Sequence, residues 1–166
     1  MKIEKDLNTF NENQFISLFG SVFEKSEWIA AETFKKKPFK NSQDLINKMI
    51  KIYESCSIDQ IIIILNLHPK LAIEKKLTSF STKEQTGAEL DKCSEEELAE
   101  FDRLNLNYEK KYKFPFIIAV KGKNKNEILE NFRSRINNDY EKEFQEAKKQ
   151  VMKIALFRLN EILETN

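Results

Sequence analysis

The scarcity of glycine and proline is the feature of this sequence that most restricts its fold. The 166 residues contain three glycines and three prolines. A β-sandwich or barrel needs many tight turns, and these turns concentrate both residue types. We therefore expect an all-α chain, a multi-helix bundle in which residues 1–166 form a single domain, because this length suits one substantial core.

Charge and cysteine content narrow the class of protein. Lys plus Arg number 28 and Asp plus Glu number 27, which gives a net charge of +1. A nucleic-acid binder or a binder of anionic membranes usually shows an excess of one sign, so neither partner is expected. The two cysteines, Cys56 and Cys93, do not form a short-spaced pair and predict neither a disulfide framework nor a zinc site. No apolar signal core or membrane-spanning run occurs, so we expect a cytoplasmic protein.

Apolar residues recur at helical spacing along most of the chain. Capping boxes are predicted at Asn11 with Gln14, at Ser81 with Glu84 and at Ser94 with Glu97. Helical patterns cover 42–56 and 124–137, and a long final stripe includes Tyr140, Phe144, Ala147, Val151, Ile154, Ala155, Leu159 and Ile162.

Two short apolar runs are ambiguous. Residues 61–65 favour a strand by propensity, but a lone strand would leave its backbone groups unpaired. We interpret them as a buried helix, hydrophobic all round, that ends near His68 and Pro69, because the residue before a proline avoids the helical region. Residues 114–120 are too few for a core helix, and we expect an extended segment packed over the core.

Three polar residues stand out as candidates for chemistry. His68 is the only histidine, and imidazole is the side chain whose unperturbed pKa lies near neutrality. Glu84 stands at a predicted helix start, and Arg158 falls on the apolar stripe of the last helix. Each also has a purely structural explanation: a satisfied histidine, a capping-box glutamate, and an arginine that reaches from the stripe to water.

Several motifs, taken together and in order, resemble one family. They are Leu67-His68-Pro69-Lys70-Leu71-Ala72, Ser81-x-x-Glu84-Gln85 with Gly87-Ala88 and Leu90, Leu104-Asn105-x-x-Tyr108, and the run from Phe114 to Gly122. This pattern resembles the OHCU decarboxylases (2-oxo-4-hydroxy-4-carboxy-5-ureidoimidazoline decarboxylases), which form allantoin at the end of the urate-to-allantoin route. The resemblance extends over nearly the whole chain, including Trp28-Ile29-Ala30 and Arg158-Leu159.

The resemblance implies a helical homodimer that removes carbon dioxide from its substrate without a metal or organic cofactor. It implies that His68 is the proton donor, that Glu84 holds the substrate hydroxyl, and that Arg158 is the counter-charge for the departing carboxylate or for Glu84. The expected substrate contacts are Pro69, Ser81, Thr82, Lys83, Gln85, Phe116, Ile117, Ile118, Ala119 and Val120.

Two departures from the family pattern leave alternatives open. Glu89 stands where a glycine usually follows Gly87-Ala88, and the bridge from Ala72 to Ser81 is shorter than usual. Both motivate a second hypothesis, a decarboxylase of a related ureide or heterocyclic carboxylate. A third hypothesis is a non-catalytic helical interaction module whose polar cluster is structural.

Overall fold

The computed structural model of the chain describes residues 7–165 and confirms the all-α class. Within that range no strand is present, and a 3-10 helix lies at Leu90–Lys92. The α-helices are α1 Glu12–Phe19, α2 Glu27–Phe34, α3 Ser42–Glu54, α4 Ile58–Asn66, α5 Ser79–Gly87, α6 Glu95–Tyr112, α7 Lys125–Arg135 and α8 Tyr140–Thr165.

Side-chain caps fix where most of these helices begin. The capping boxes predicted at Asn11 with Gln14 and at Ser94 with Glu97 are both formed. The box predicted at Ser81 with Glu84 is wrong, because α5 begins one turn earlier, where the Thr78 hydroxyl accepts a hydrogen bond from the Ser81 N–H. Glu84 therefore lies inside α5, and its structural explanation as a capping residue is excluded.

Helix α4 settles the ambiguous apolar run in favour of a helix, with one correction. Ile61, Ile64 and Leu65 are buried, but Ile63 is 60% exposed, so the helix is not buried all round. The buried residues are spaced three and four positions apart and so share one side of the helix, as expected for a helix at a protein surface. The helix ends at Asn66, two residues before His68.

The chain divides into two compact units, 1–67 with 152–166 and 68–151. In the first unit, Phe15 contacts the rings of Phe19, Phe34 and Phe39, with centroid distances of 4.7 to 5.7 Å. In the second unit, Phe116 stacks on Phe132 at 3.9 Å. Helix α8 contributes residues to both units. The expectation of a single domain over 1–166 stays a prediction.

Residues 114–120 are all buried, and 115–120 form neither helix nor strand, as the sequence predicts. In the part of the chain that the structure describes, no helix combines the length and apolarity that a membrane crossing requires.

Candidate active site

His68 opens the second unit, immediately after the end of α4. Its side chain is only 8% exposed, whereas the neighbouring Pro69 is partly exposed. Proline fixes its own φ and restricts the residue before it, which limits the conformations of this loop. The loop therefore holds a largely buried imidazole next to a proline that is partly exposed to solvent.

Helix α5 places three of the predicted site residues on one face. Ser81, Glu84 and Gln85 are separated by three and four positions, so their side chains are neighbours on the helix surface. Ser81 and Gln85 are buried and Glu84 is partly buried, whereas the side chains of Thr82 and Lys83 are exposed. The spacing identifies Ser81, Glu84 and Gln85 as the inward set of this helix.

Gln85 links α5 to the His68 loop. Its Oε1 accepts a hydrogen bond from the Ala72 N–H at 3.1 Å. Because an N–H must face an oxygen, this bond fixes the orientation of the amide and leaves Nε2 as the free donor. Gln85 Nε2 is buried and has no hydrogen-bond partner among the described residues. An unsatisfied buried donor costs about 1–3 kcal/mol, which a ligand oxygen or a water would offset.

The segment predicted to line the substrate is held by side chains rather than by a sheet. The Ile117 carbonyl accepts a hydrogen bond from Arg135 Nη1 at 2.8 Å, and the Ala119 N–H donates to Gln150 Oε1 at 2.9 Å. Within residues 7–165, the backbone groups of the intervening Ile118 make no hydrogen bond. Buried peptide groups normally have partners, so Ile118 offers a donor and an acceptor to a bound molecule.

A buried ion pair fixes Arg135 in turn. Arg135 donates to Glu143 Oε1 through Nε at 2.9 Å and through Nη2 at 2.6 Å, and its guanidinium lies 4.4 Å from the centroid of the Phe116 ring. The Tyr108 hydroxyl donates to the same carboxylate oxygen. Burial, together with this hydrogen bond to Glu143, raises the pKa of Tyr108 above its ordinary value.

Arg158 lies in the first unit and is 2% exposed, so it does not reach water from the edge of its stripe. Its Nη1 lies 3.0 Å from Glu24 Oε2 and 3.1 Å from the Ser21 carbonyl oxygen. The Arg158 charge on the apolar stripe is therefore buried, and it is paired with the buried Glu24 carboxylate, which offsets the cost of burial. The predicted catalytic role of Arg158 stays a prediction.

The sequence pattern assigns no contact to two residues that hold predicted site residues in the structure: Glu24, which pairs with Arg158 in the first unit, and Gln150, which binds Ala119 in the second. Gln150 carried a usable signal, because it lies three residues after Ala147 and four before Ile154, on the same apolar stripe as Arg158. Glu24 carried no such signal: it pairs with a residue 134 positions away, and helical periodicity does not report such distances.

One open cavity, of about 560 Å³, belongs to the first unit and contains none of the predicted site residues. Lys48, on its wall, already binds Asp44 and the Pro38 carbonyl. Its lining residues are Glu32, Lys36, Lys48, Lys51, Ile52 and Ser55.

Comparison with known proteins identifies the family. A sequence model of the OHCU decarboxylases matches residues 8–160. This chain belongs to the OHCU decarboxylase family. One relative, from Haloferax volcanii, is named 2-oxo-4-hydroxy-4-carboxy-5-ureidoimidazoline decarboxylase. It is 32% identical to this chain over 157 residues, which are 95% of this chain and 94% of the relative.

One similar protein is about three times as long as this chain. The uric acid degradation bifunctional protein of Bacillus sp. (strain TB-90) is 39% identical over 158 residues, which are 95% of this chain and 32% of that protein. The present chain therefore spans about a third of the length of that relative.

Two solved structures are similar in fold. One is described as (S)-allantoin synthase, with a TM-score of 0.78 and 28% identity, and the match covers 95% of this chain and 52% of that one. The other is an OHCU decarboxylase in the presence of (S)-allantoin, with a TM-score of 0.73 and 22% identity over 93% of this chain and 99% of that one. At that identity the second likeness shows the fold alone.

Glu89, which stands where the family resemblance leads us to expect a glycine, has a left-handed backbone conformation. Glu89 has φ +61°, in the left-handed region that favours glycine, and its side chain is exposed. The backbone here takes a conformation that a glycine adopts without strain.

Proposed function

We propose that this chain decarboxylates 2-oxo-4-hydroxy-4-carboxy-5-ureidoimidazoline to (S)-allantoin and carbon dioxide. The observation that carries the proposal is the family match over 8–160, a range that includes His68, Glu84, Gln85 and Arg158. The name of the 28%-identical structure, (S)-allantoin synthase, supports the product.

The substrate carries a carboxylate and a hydroxyl on one ring carbon, beside a carbon–nitrogen double bond. When carbon dioxide leaves, its bonding electron pair moves towards that double bond, which acts as the electron sink. The ring nitrogen and the neighbouring carbon each take up a proton while the hydroxyl gives one up, so the reaction consumes one proton overall. The residues must therefore deliver a proton to one face of the ring and remove one from the hydroxyl.

His68 delivers the proton to carbon in this proposal, and Glu84 accepts the hydrogen of the substrate hydroxyl as the carbonyl forms. Imidazole suits the first role because it can give and recover a proton near neutral pH. Glu84 suits the second because α5 turns it to the same side as Ser81 and Gln85. Pro69 adjoins the proton donor at the rim of the site.

Hydrogen bonds to the planar ureide come from Gln85 and from the segment 116–120. The fixed orientation of Gln85 makes it a donor, so the ligand atom opposite Nε2 is an oxygen. The unpaired backbone groups of Ile118 offer one donor and one acceptor, which match an amide edge. Contacts from Ser81, Thr82 and Lys83, and the counter-charge role of Arg158, remain predictions from the family resemblance.

The experiment that tests the function uses freshly generated substrate and follows allantoin formation by circular dichroism. We expect His68→Asn and Glu84→Ala each to lower kcat by about 10²- to 10⁴-fold, because each removes a proton-transfer group. Thr86→Ala, at an exposed position of the same helix, is the matched control and should retain full activity. Stereospecific allantoin formation at the unaltered rate by either site variant would contradict the assigned roles.

The conformation of Glu89 weakens the second candidate, a decarboxylase of a related ureide, because its left-handed backbone is one that a glycine also adopts readily. The homodimer and the cytoplasmic location stay predictions, and light scattering of the purified chain tests the former.

A further inference from the structure

We propose that Asn105 and Gln85 together clamp the Leu71–Ala72 peptide and so fix the loop that carries His68, which makes Asn105 a positioning residue for proton transfer. The catalytic part of this inference rests on the proposed function. Asn105 lies on α6 and is 3% exposed.

The two amide side chains hold opposite ends of one peptide group. Asn105 Nδ2 donates to the Leu71 carbonyl at 3.1 Å, and the Ala72 N–H donates to Gln85 Oε1 at 3.1 Å. The carbonyl of residue 71 and the N–H of residue 72 belong to the same planar unit. Held on both sides, this unit cannot rotate without breaking a buried hydrogen bond.

The backbone next to the clamp is strained. Ala72 has φ +66°, a left-handed conformation that an alanine rarely adopts. Such a conformation persists where its surroundings over-determine it, and the two amides do this. Lys70 adds an exposed contact, with its Nζ 2.7 Å from Glu109 Oε2, four residues after Asn105 on the same face of α6.

The clamp also leaves polar atoms unsatisfied. Because Asn105 Nδ2 donates to both Leu71 and Phe101 carbonyls, its amide orientation is fixed, and its Oδ1 is buried with no hydrogen-bond partner among the described residues. Gln85 Nε2 is in the same condition. An apolar side chain at position 105 would avoid this loss of stability, so the amide is better explained by what its Nδ2 holds.

Two variants remove the donor in different ways. Asn105→Leu has a similar volume and lacks the amide, whereas Asn105→Asp keeps the shape and the acceptor but, as an ionised carboxylate at alkaline pH, cannot donate to the Leu71 carbonyl. For both we expect kcat to fall about 10- to 100-fold with a much smaller change in KM, because a displaced catalytic group slows chemistry more than it weakens binding. An unchanged kcat in folded variants would overturn the proposal.

The matched control is Asn131→Leu. Asn131 Nδ2 donates to the Glu127 carbonyl four residues earlier at 2.8 Å, as Asn105 does to Phe101, but Asn131 is only partly buried on α7 and does not bond to the loop. The control should keep the unaltered kcat. A loss of activity in the control equal to that in Asn105→Leu would show that only helix stability is involved and would overturn the proposal.

A second readout does not depend on catalysis. Because His68 is the only histidine, the imidazole gives one set of NMR signals. We expect these signals to shift and broaden in both Asn105 variants and to stay unchanged in Asn131→Leu. If the chain has no decarboxylase activity, the proposed function fails, yet the NMR comparison still decides whether the clamp fixes the His68 loop; identical signals in all variants would overturn it.

If both Asn105 variants fail to fold, hydrogen exchange in the unaltered protein tests whether the Leu71–Ala72 peptide is clamped. We expect the Ala72 amide to exchange far more slowly than the amides of Lys75 and Lys76, which are exposed in the same loop. Exchange of Ala72 as fast as that of these two residues would overturn the proposal.

Discussion

At the scale of single residues, Arg158 shows how an apolar stripe accommodates a charge. The side chain does not extend to water but is buried against Glu24, whose carboxylate is also almost fully buried. Removing two charges from water is costly, and their attraction offsets the cost only when further hydrogen bonds complete the geometry. The Ser21 carbonyl supplies one such bond.

We expect Arg158→Met to lower the free energy of unfolding by about 3–5 kcal/mol, because it leaves the buried Glu24 carboxylate without its guanidinium. Urea titration monitored by circular dichroism measures this loss. The double variant Arg158→Met with Glu24→Met should recover most of it, since both charges are then gone.

The control for this prediction is a surface pair. Lys35 lies 2.6 Å from Glu32, with both side chains well exposed, so Lys35→Met should leave the free energy of unfolding almost unchanged. Equal losses in the single and double Arg158 variants would show that packing of the arginine stem, rather than its charge, is what matters.

At the scale of elements, the register of α5 decides which of its residues face inward. Because Thr78 caps the helix, the buried positions are Ser81 and Gln85, with Glu84 at their side. The sequence pattern predicts the cap three residues later, because Ser81 with Glu84 matches the spacing of a capping box. Thr78 lacks the Glu or Gln three residues later that completes a capping box, so spacing alone favours Ser81 over the true cap.

The cap assignment makes a direct prediction. Thr78→Ala should destabilise α5 by about 1 kcal/mol, because it removes the acceptor for the Ser81 N–H. Hydrogen exchange of the α5 amides measures the effect. Thr86→Ala, the same chemical change at an exposed position inside α5, should leave exchange unchanged or slower. Faster exchange in Thr86→Ala than in Thr78→Ala would refute the cap.

Most features that depend on local spacing were predictable from the sequence, the cap of α5 being the exception, and features that depend on long-range pairing were not. The boxes at Asn11 and Ser94, the break before His68 and the non-helical run at 114–120 all follow from short stretches of sequence. The Gln85 bond to Ala72 does not, because the path of the 72–78 loop is set by contacts with other elements. The motifs around His68 and Glu84 pointed to a family, although hydrophobic periodicity could not show how these residues are arranged in space.

At the scale of the whole molecule, each unit contains a tyrosine that resists ionisation. Burial is the main cause that raises the pKa of Tyr53 in the first unit and of Tyr108 in the second. A raised pKa in the folded state means that the unfolded chain releases these protons first. Their contribution to stability is therefore complete below the ordinary tyrosine pKa of about 10 and is lost as the pH rises above it.

We expect the phenolate absorbance of these two tyrosines to appear together with the loss of helical circular dichroism in an alkaline titration. Tyr108→Phe should remove part of the absorbance step and make stability less dependent on pH in this range. A chain that keeps its full helical signal after all four of its tyrosines have ionised would contradict the prediction.

The pairing of Glu24 with Arg158 also constrains how the sequence can be recombined. The two residues come from opposite ends of the chain, 134 positions apart. A substitution at one position alone would leave the other charge buried without its partner. We therefore expect substitutions at the two positions to occur together in related proteins. A chimera of two homologues whose crossover falls between positions 24 and 158 takes one residue of the pair from each parent. Such a chimera should keep the ion pair only when both parents encode the same two residues.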